Sequence, residues 1–198
     1  MTLLYLIRHG RSTWNAEGRI QGQADPPLDE AGRRQARALA AHLQGMPVHA
    51  FYSSPLARAS ETAEIVAAPH QLSVGFDERL MERHFGEWTG LTGAELETRI
   101  EAEPKRDWRM VGPPGGESRA DLTARAAAVF AEIVAAYPVH TVAVVSHGGL
   151  LGAALNHLLG IPLHRPVSFH FENTSVARLR VNDRGVRLLA VGDDRHLG

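Results

Sequence analysis

A chain of 198 residues, 44% hydrophobic and 22% charged, has the length and balance of one globular domain with a substantial core. Its formal net charge of −1 excludes a global basic field for nucleic acid or an anionic membrane, so attraction for an anionic ligand must come from local cations. The absence of cysteine excludes disulfides, thiolate catalysis and zinc–thiolate sites.

The N-terminal run Met1 to Arg8 lacks the charged start and cleavage site of a signal peptide and is too short to span a bilayer. A cytoplasmic protein without membrane contact is the expectation. Leu3 to Ile7 reads as a strand ending at Arg8-His9-Gly10. Asp29 caps a helix predicted to run to about Gln44, with Leu39 and Leu43 on one face and Gly45 and Pro47 beyond it. Ala50 to Tyr52 is a second strand ending at Ser53-Ser54-Pro55. Ser54 then reads as the N-cap of a helix, with Pro55 at its first position and Leu56, Ala59, Ala63 and Val66 at helical spacing. The Pro- and Gly-rich stretch Arg109 to Gly116 reads as a surface loop. Ser118 opens a helix reaching Tyr137-Pro138, with Asp121 as its capping partner.

Thr141 to Val145 is a third strand, ending at Ser146-His147-Gly148-Gly149, and a helix over Leu150 to Leu159 follows, stopped by Gly160. Ser175 to Val181 and Val186 to Val191 flank Asn182-Asp183-Arg184-Gly185 as a hairpin. The first and third strands are apolar without alternation, as strands covered on both faces are. Together these elements predict an α/β fold, a three-layer α/β/α sandwich with a mostly parallel sheet, as one domain over 1–198.

In such sheets ligands bind beyond the carboxyl ends of the strands. His9 and His147 both stand there, and Arg58 opens the helix after the second strand. A neutral imidazole is a good nucleophile toward phosphorus, and arginine presents a planar fork of donors to phosphate oxygens. Phosphoryl transfer needs mainly positioning and charge stabilisation, which a cage of Arg8, Arg58, His147 and backbone amides near Gly148 supplies. Glu82, in Leu80-Met81-Glu82-Arg83-His84-Phe85-Gly86, is the candidate proton donor to a leaving alkoxide, with Glu87 as its rival. A surface ion pair with Glu61 is the alternative use of Arg58. The remaining histidines show no metal-ligand spacing, and no metal site is assigned.

Arg8-His9-Gly10 with Asn15, Ser53-Ser54-Pro55-Leu56-Ala57-Arg58-Ala59, Glu82 to Gly86-Glu87-Trp88, Gly115-Gly116-Glu117-Ser118 and Ser146-His147-Gly148-Gly149 follow one another over nearly the whole chain. In this order they resemble the motifs of the histidine phosphatase superfamily, the phosphoglycerate mutase-like proteins. The resemblance implies a phosphohistidine on His9. It implies that Arg8, Arg58 and His147 bind the phosphoryl group with help from Asn15, Gln21, Gly22 and Gly148, and that Glu82 is the proton donor. It implies no cofactor. Arg11 stands where relatives often carry glutamate, and Arg11, His84 and Trp88 are assigned to the pocket rim. Mutases of the family carry a longer basic insertion than the Gly90 to Gly116 interval, where Lys105, Arg106 and Arg109 are the basic cluster. That favours a phosphatase acting on small phosphate esters over a phosphoglycerate mutase. A noncatalytic phospholigand- or protein-binding module is the alternative of another class. The oligomeric state is left open, a homodimer included.

Overall fold

The computed structural model describes residues 1–198. Six strands form one sheet: β1 (Thr2–Arg8), β2 (Ala50–Ser53), β3 (Val74–Phe76), β4 (Thr141–Ser146), β5 (Val176–Asn182) and β6 (Gly185–Asp193). Their order is β3-β2-β4-β1-β5-β6. The pairs β3–β2, β2–β4 and β4–β1 are parallel, and β1–β5 and β5–β6 are antiparallel. The expected mostly parallel sheet with a terminal hairpin is the sheet observed.

Seven helices are present: α1 (Thr13–Ala16), α2 (Glu30–Leu43), α3 (Ala57–Ala67), α4 (Gly93–Ala102), α5 (Trp108–Val111), α6 (Arg119–Ala136) and α7 (Gly148–Leu158). Side chains alternate across a strand, so each central strand feeds two cores. Leu4, Leu6, Val142 and Val144 pack with Leu122, Val129, Phe130 and Ile133 of α6 and Leu150, Leu151 and Leu155 of α7. Tyr5, Ile7, Ala143 and Val145 pack with Leu39 and Leu43 of α2 and Ala59, Ala63 and Val66 of α3 on the other face. Burial on both faces explains the continuous apolar runs in β1 and β4 and gives the three layers.

Several local expectations are corrected. Ser54 does not cap α3, whose N-cap is Leu56 without a side-chain bond, and Pro55 lies outside the helix. The Asp25 carboxylate reaches from another loop and accepts the Ala57 N–H at 2.6 Å. Part of the predicted Arg109 to Gly116 loop is helical, because the Asp107 side chain caps α5 by accepting from Arg109 and Met110 N–H. The strand β3 and the helix α4 were not expected. Asp29 and Ser118 cap α2 and α6 as predicted. No helix is long and apolar enough to cross a membrane.

Candidate active site

β1 and β4 are parallel neighbours in register to their last residues, Arg8 opposite Ser146. The next residue of each strand is therefore brought together, and the His9 and His147 ring centroids lie 5.0 Å apart. The turn after His9 is tight because Gly10 meets α2: a Cβ at Gly10 would stand 2.7 Å from the Gly32 carbonyl oxygen. From α3, the Thr62 hydroxyl accepts the Gly10 N–H at 3.0 Å. Asn173 donates its side-chain N–H to the His9 carbonyl at 3.0 Å, and the Thr174 N–H reaches the same carbonyl at 3.2 Å. Thr174 has φ +63°, a left-handed backbone that costs a β-branched residue on the order of 1–2 kcal/mol, and it is fully buried.

His9 is 3% exposed, and its Nδ1 lies 2.7 Å from the Gly10 carbonyl. A carbonyl only accepts, so Nδ1 carries the proton and Nε2 the lone pair of the neutral ring. Burial, then the charges of Arg58 and Arg8, hold His9 well below the usual histidine range, against the opposing Gly10 bond. His147 is held well below it for the same reasons, burial first and then Arg58, His9 and Arg8. Its Nε2 lies 2.9 Å from Ser54 Oγ, and its Nδ1 is buried without a protein partner.

The arginines are held by carbonyls, not carboxylates. Arg58 is 1% exposed and donates to the Gly22 and Ala24 carbonyls at 2.7 and 2.8 Å. Arg8 donates to the Phe171 carbonyl. The Nε atoms of both are buried without an acceptor. Burial pulls Arg58 down to about 10, helped by Arg8, and it stays cationic at neutral pH. Glu61, the alternative partner for Arg58, pairs instead with Arg33 at 2.6 Å. Neither arginine has a carboxylate in direct contact, though Glu82 acts on both from a distance, and two converging guanidiniums with unsatisfied Nε donors form a site suited to an anion.

Glu82 is fixed on the first turn of α7, where its carboxylate accepts the Arg83, Gly149 and Leu150 N–H groups at 2.7, 3.0 and 3.2 Å. Gly149 is required by this approach, since a Cβ there would strike the Glu82 carboxylate. The Leu151 N–H bonds the His147 carbonyl, so the Gly148 N–H is the first-turn amide left over. A cavity of ≈ 360 Å³ is lined by Arg8, His9, Asn15, Gln21, Gly22, Arg58, Glu82 and Gly148 together. Asn15 Oδ1 accepts from the Ser12 N–H at 3.1 Å, and Gln21 Oε1 accepts from the Ser12 hydroxyl at 2.7 Å, which leaves both amide groups available.

The predicted rim residues lie elsewhere. Arg11 is exposed and paired with Asp29 at 2.7 Å. The His84 Nδ1 accepts the Gly86 N–H at 3.2 Å, and its ring does not line the cavity. Trp88 is buried against Trp108, with ring centroids 5.0 Å apart. Glu87 is exposed and outside the cavity. Arg19, Phe85, Phe169 and His170 line it instead. Ser54, Asn173 and Thr174 were missed. Ser54 lay inside a recognised motif but read as a helix cap, and nothing local marks Asn173 or Thr174.

This site sits at the strand ends of a family fold, and the chain belongs to the histidine phosphatase superfamily (branch 1), whose model matches residues 4–194. It is similar to phosphoserine phosphatase 1 of Hydrogenobacter thermophilus, 35% identical over 100% of this chain and 95% of that one. A probable phosphoglycerate mutase of Salmonella choleraesuis is 33% identical over 90% of this chain and 85% of its own. Among solved structures, a mycobacterial glucosyl-3-phosphoglycerate phosphatase in complex with VO3 superposes with a TM-score of 0.89 at 34% identity, covering 96% of this chain and 98% of that one.

Proposed function

We propose that the chain is a phosphomonoesterase that hydrolyses small phosphate esters through a phosphohistidine on His9. The observation that carries this reading is the pair of guanidiniums of Arg8 and Arg58, each with a buried Nε that has no acceptor, flanking a neutral His9 whose Nε2 lone pair is free. In the proposed reaction Nε2 attacks phosphorus in line with the ester oxygen. Arg8, Arg58, the Gly148 N–H and the amides of Asn15 and Gln21 hold the phosphoryl oxygens. The Ser54 hydroxyl accepts from the Leu56 N–H and donates its own proton to His147 Nε2, placing the His147 proton on Nδ1 as a further donor. Glu82 gives a proton to the leaving alkoxide as the P–O bond breaks. It then takes one from the water that attacks the phosphohistidine, which returns free phosphate and neutral His9.

Relatives include proteins named as phosphatases and as a probable mutase. Water is favoured over a second hydroxyl here because nothing from the Gly90 to Gly116 interval lines the cavity. Arg106 of that interval stacks on Trp108, 4.2 Å from the ring centroid. The test is incubation with 3-phosphoglycerate and aryl phosphates, with protein quenched in alkaline detergent and then analysed for phosphate released by acid. Wild type is expected to release free phosphate and to carry an acid-labile phosphoryl group, and His9→Ala to do neither. Rapid formation of 2-phosphoglycerate with little free phosphate would assign the mutase reaction instead, and unchanged turnover in His9→Ala would defeat the mechanism.

A further inference from the structure

A second cavity of ≈ 200 Å³ adjoins the first and shares Phe85, Gly148, Gly149 and Phe169 with it. Its charged lining is Arg83 and Arg119 alone. Most arginines near a carboxylate in this protein are paired with it, as in Arg11–Asp29, Arg33–Glu61, Arg79–Glu132 and Arg125–Glu117. Arg83 and Arg119 have no such pair. Arg83 donates Nε–H to the Glu117 carbonyl at 2.8 Å, while the Glu117 carboxylate is taken by Arg125 at 2.7 Å. Arg119 makes no hydrogen bond to protein, and its Nε is buried without a partner, as is Nη2 of Arg83. Burial, then repulsion from Arg119, pulls Arg83 down against the opposing charges of Glu117 and Glu82, so the two guanidiniums feel each other's charge.

Neighbouring like charges with no carboxylate in direct contact are unfavourable unless a ligand supplies one. We infer that Arg83 and Arg119 form a recognition subsite for a second anionic group, a carboxylate or a phosphate, carried by the same molecule whose phosphoryl group occupies the His9 pocket. The inference rests on the phosphomonoesterase reading for the ester, but not on turnover. The preferred substrates are then phosphate esters with an acidic group a few bonds from the ester oxygen. Neutral alcohol phosphates fill only half of the combined site.

The test is calorimetric binding to His9→Ala, which removes the nucleophile and lets intact esters be measured. One arm compares O-phosphoserine with its carboxamide, and the other compares propane-1,3-diol bisphosphate with propyl phosphate. In at least one arm the charged member is expected to bind about tenfold tighter, as two charge-assisted hydrogen bonds allow, and the arm that discriminates names the group. Adding Arg119→Gln, whose side chain holds nothing else in the fold, should bring that ratio within about threefold of unity. Equal binding of both members in both arms, or a preference that survives Arg119→Gln and Arg83→Gln, would overturn the subsite. Phosphate release by the wild type from the four esters is scored separately. Its absence would sink the phosphatase reading and leave the binding result standing.

Discussion

Ser54 shows how much a single hydroxyl can determine. It lies one residue past β2, sits within 2.9 Å of His147 Nε2 and is fully buried. The contact fixes the orientation of the ring, and in the proposed arrangement, with Ser54 as the donor, it also keeps the His147 proton on Nδ1. Ser54→Ala is expected to lower kcat/KM by roughly tenfold or more while the fold is kept, because the proton on Nδ1 is no longer specified. Nitrogen NMR of the His147 ring should show the tautomer mixture directly. Unchanged kinetics together with an unchanged ring spectrum would remove Ser54 from the site. The residues legible in the sequence were those whose role is written beside a strand end: Arg8, His9, Arg58 and His147. Ser54 stood in a recognised motif but its partner is remote in sequence, and no local pattern reveals Asn173 or Arg119. Glu82 was preferred to Glu87 on the chain through its motif, but only the folded loop shows that it is Glu82 whose carboxylate reaches α7.

At the scale of elements, α7 has two duties. Its buried face packs under the sheet through Leu150, Leu151 and Leu155, and its first turn holds Glu82. A helix N-terminus favours a carboxylate by its free N–H groups and its dipole. Gly149→Ala is expected to expel the Glu82 side chain from this turn, since the added Cβ and the carboxylate occupy one space. Turnover of alkyl phosphates, which need a proton at the leaving oxygen, should fall more than that of aryl phosphates. Equal loss on both classes would argue that the helix, not Glu82, was disturbed. The elements read correctly from sequence were those with strong apolar runs, caps or turn signals: β1, β2, β4, the β5–β6 hairpin, α2, α6 and α7. β3 spans three residues including Gly75, too short for any period. α4 buries no residue, so its apolar pattern is weak, and the Thr92–Glu95 capping box was its one readable signal.

For the whole molecule, the site has a cost in acid. His9 and His147 are neutral in the fold at pH values where the unfolded chain binds protons on them, from 6.5 downward. Unfolding then takes up protons, so stability is greatest above pH 6.5 and falls as the pH drops below it, with a slope of at most about 1.4 kcal/mol per pH unit for each ring. His70 and His196, lowered mainly by burial, add to the same slope. The depressed carboxylates act lower: Asp193, held down to about 2 chiefly by Arg195, loses its contribution only below the ordinary carboxylate range. Denaturant midpoints from pH 7 to about 5 should therefore decline for the wild type and decline much less for the doubly substituted His9→Gln/His147→Gln protein. Parallel declines would show that the two rings titrate normally in the fold.

The pairing of β1 with β4 also governs when the protein can begin to work. Leu3 sits opposite Thr141, so the strand that carries His9 is synthesised well before the partner that completes its parallel side. At ~5–20 residues per second, β1 waits on the order of ten seconds or more on the ribosome for that partner, and longer for β5 on its other edge. During that interval its apolar run is an unpaired strand, the kind of segment that invites aggregation and chaperone contact. A nascent chain that stops before Thr141 has Arg8, His9 and Arg58 but no pocket. The order of synthesis thus keeps the His9 imidazole without its partner histidine until β4 has been made.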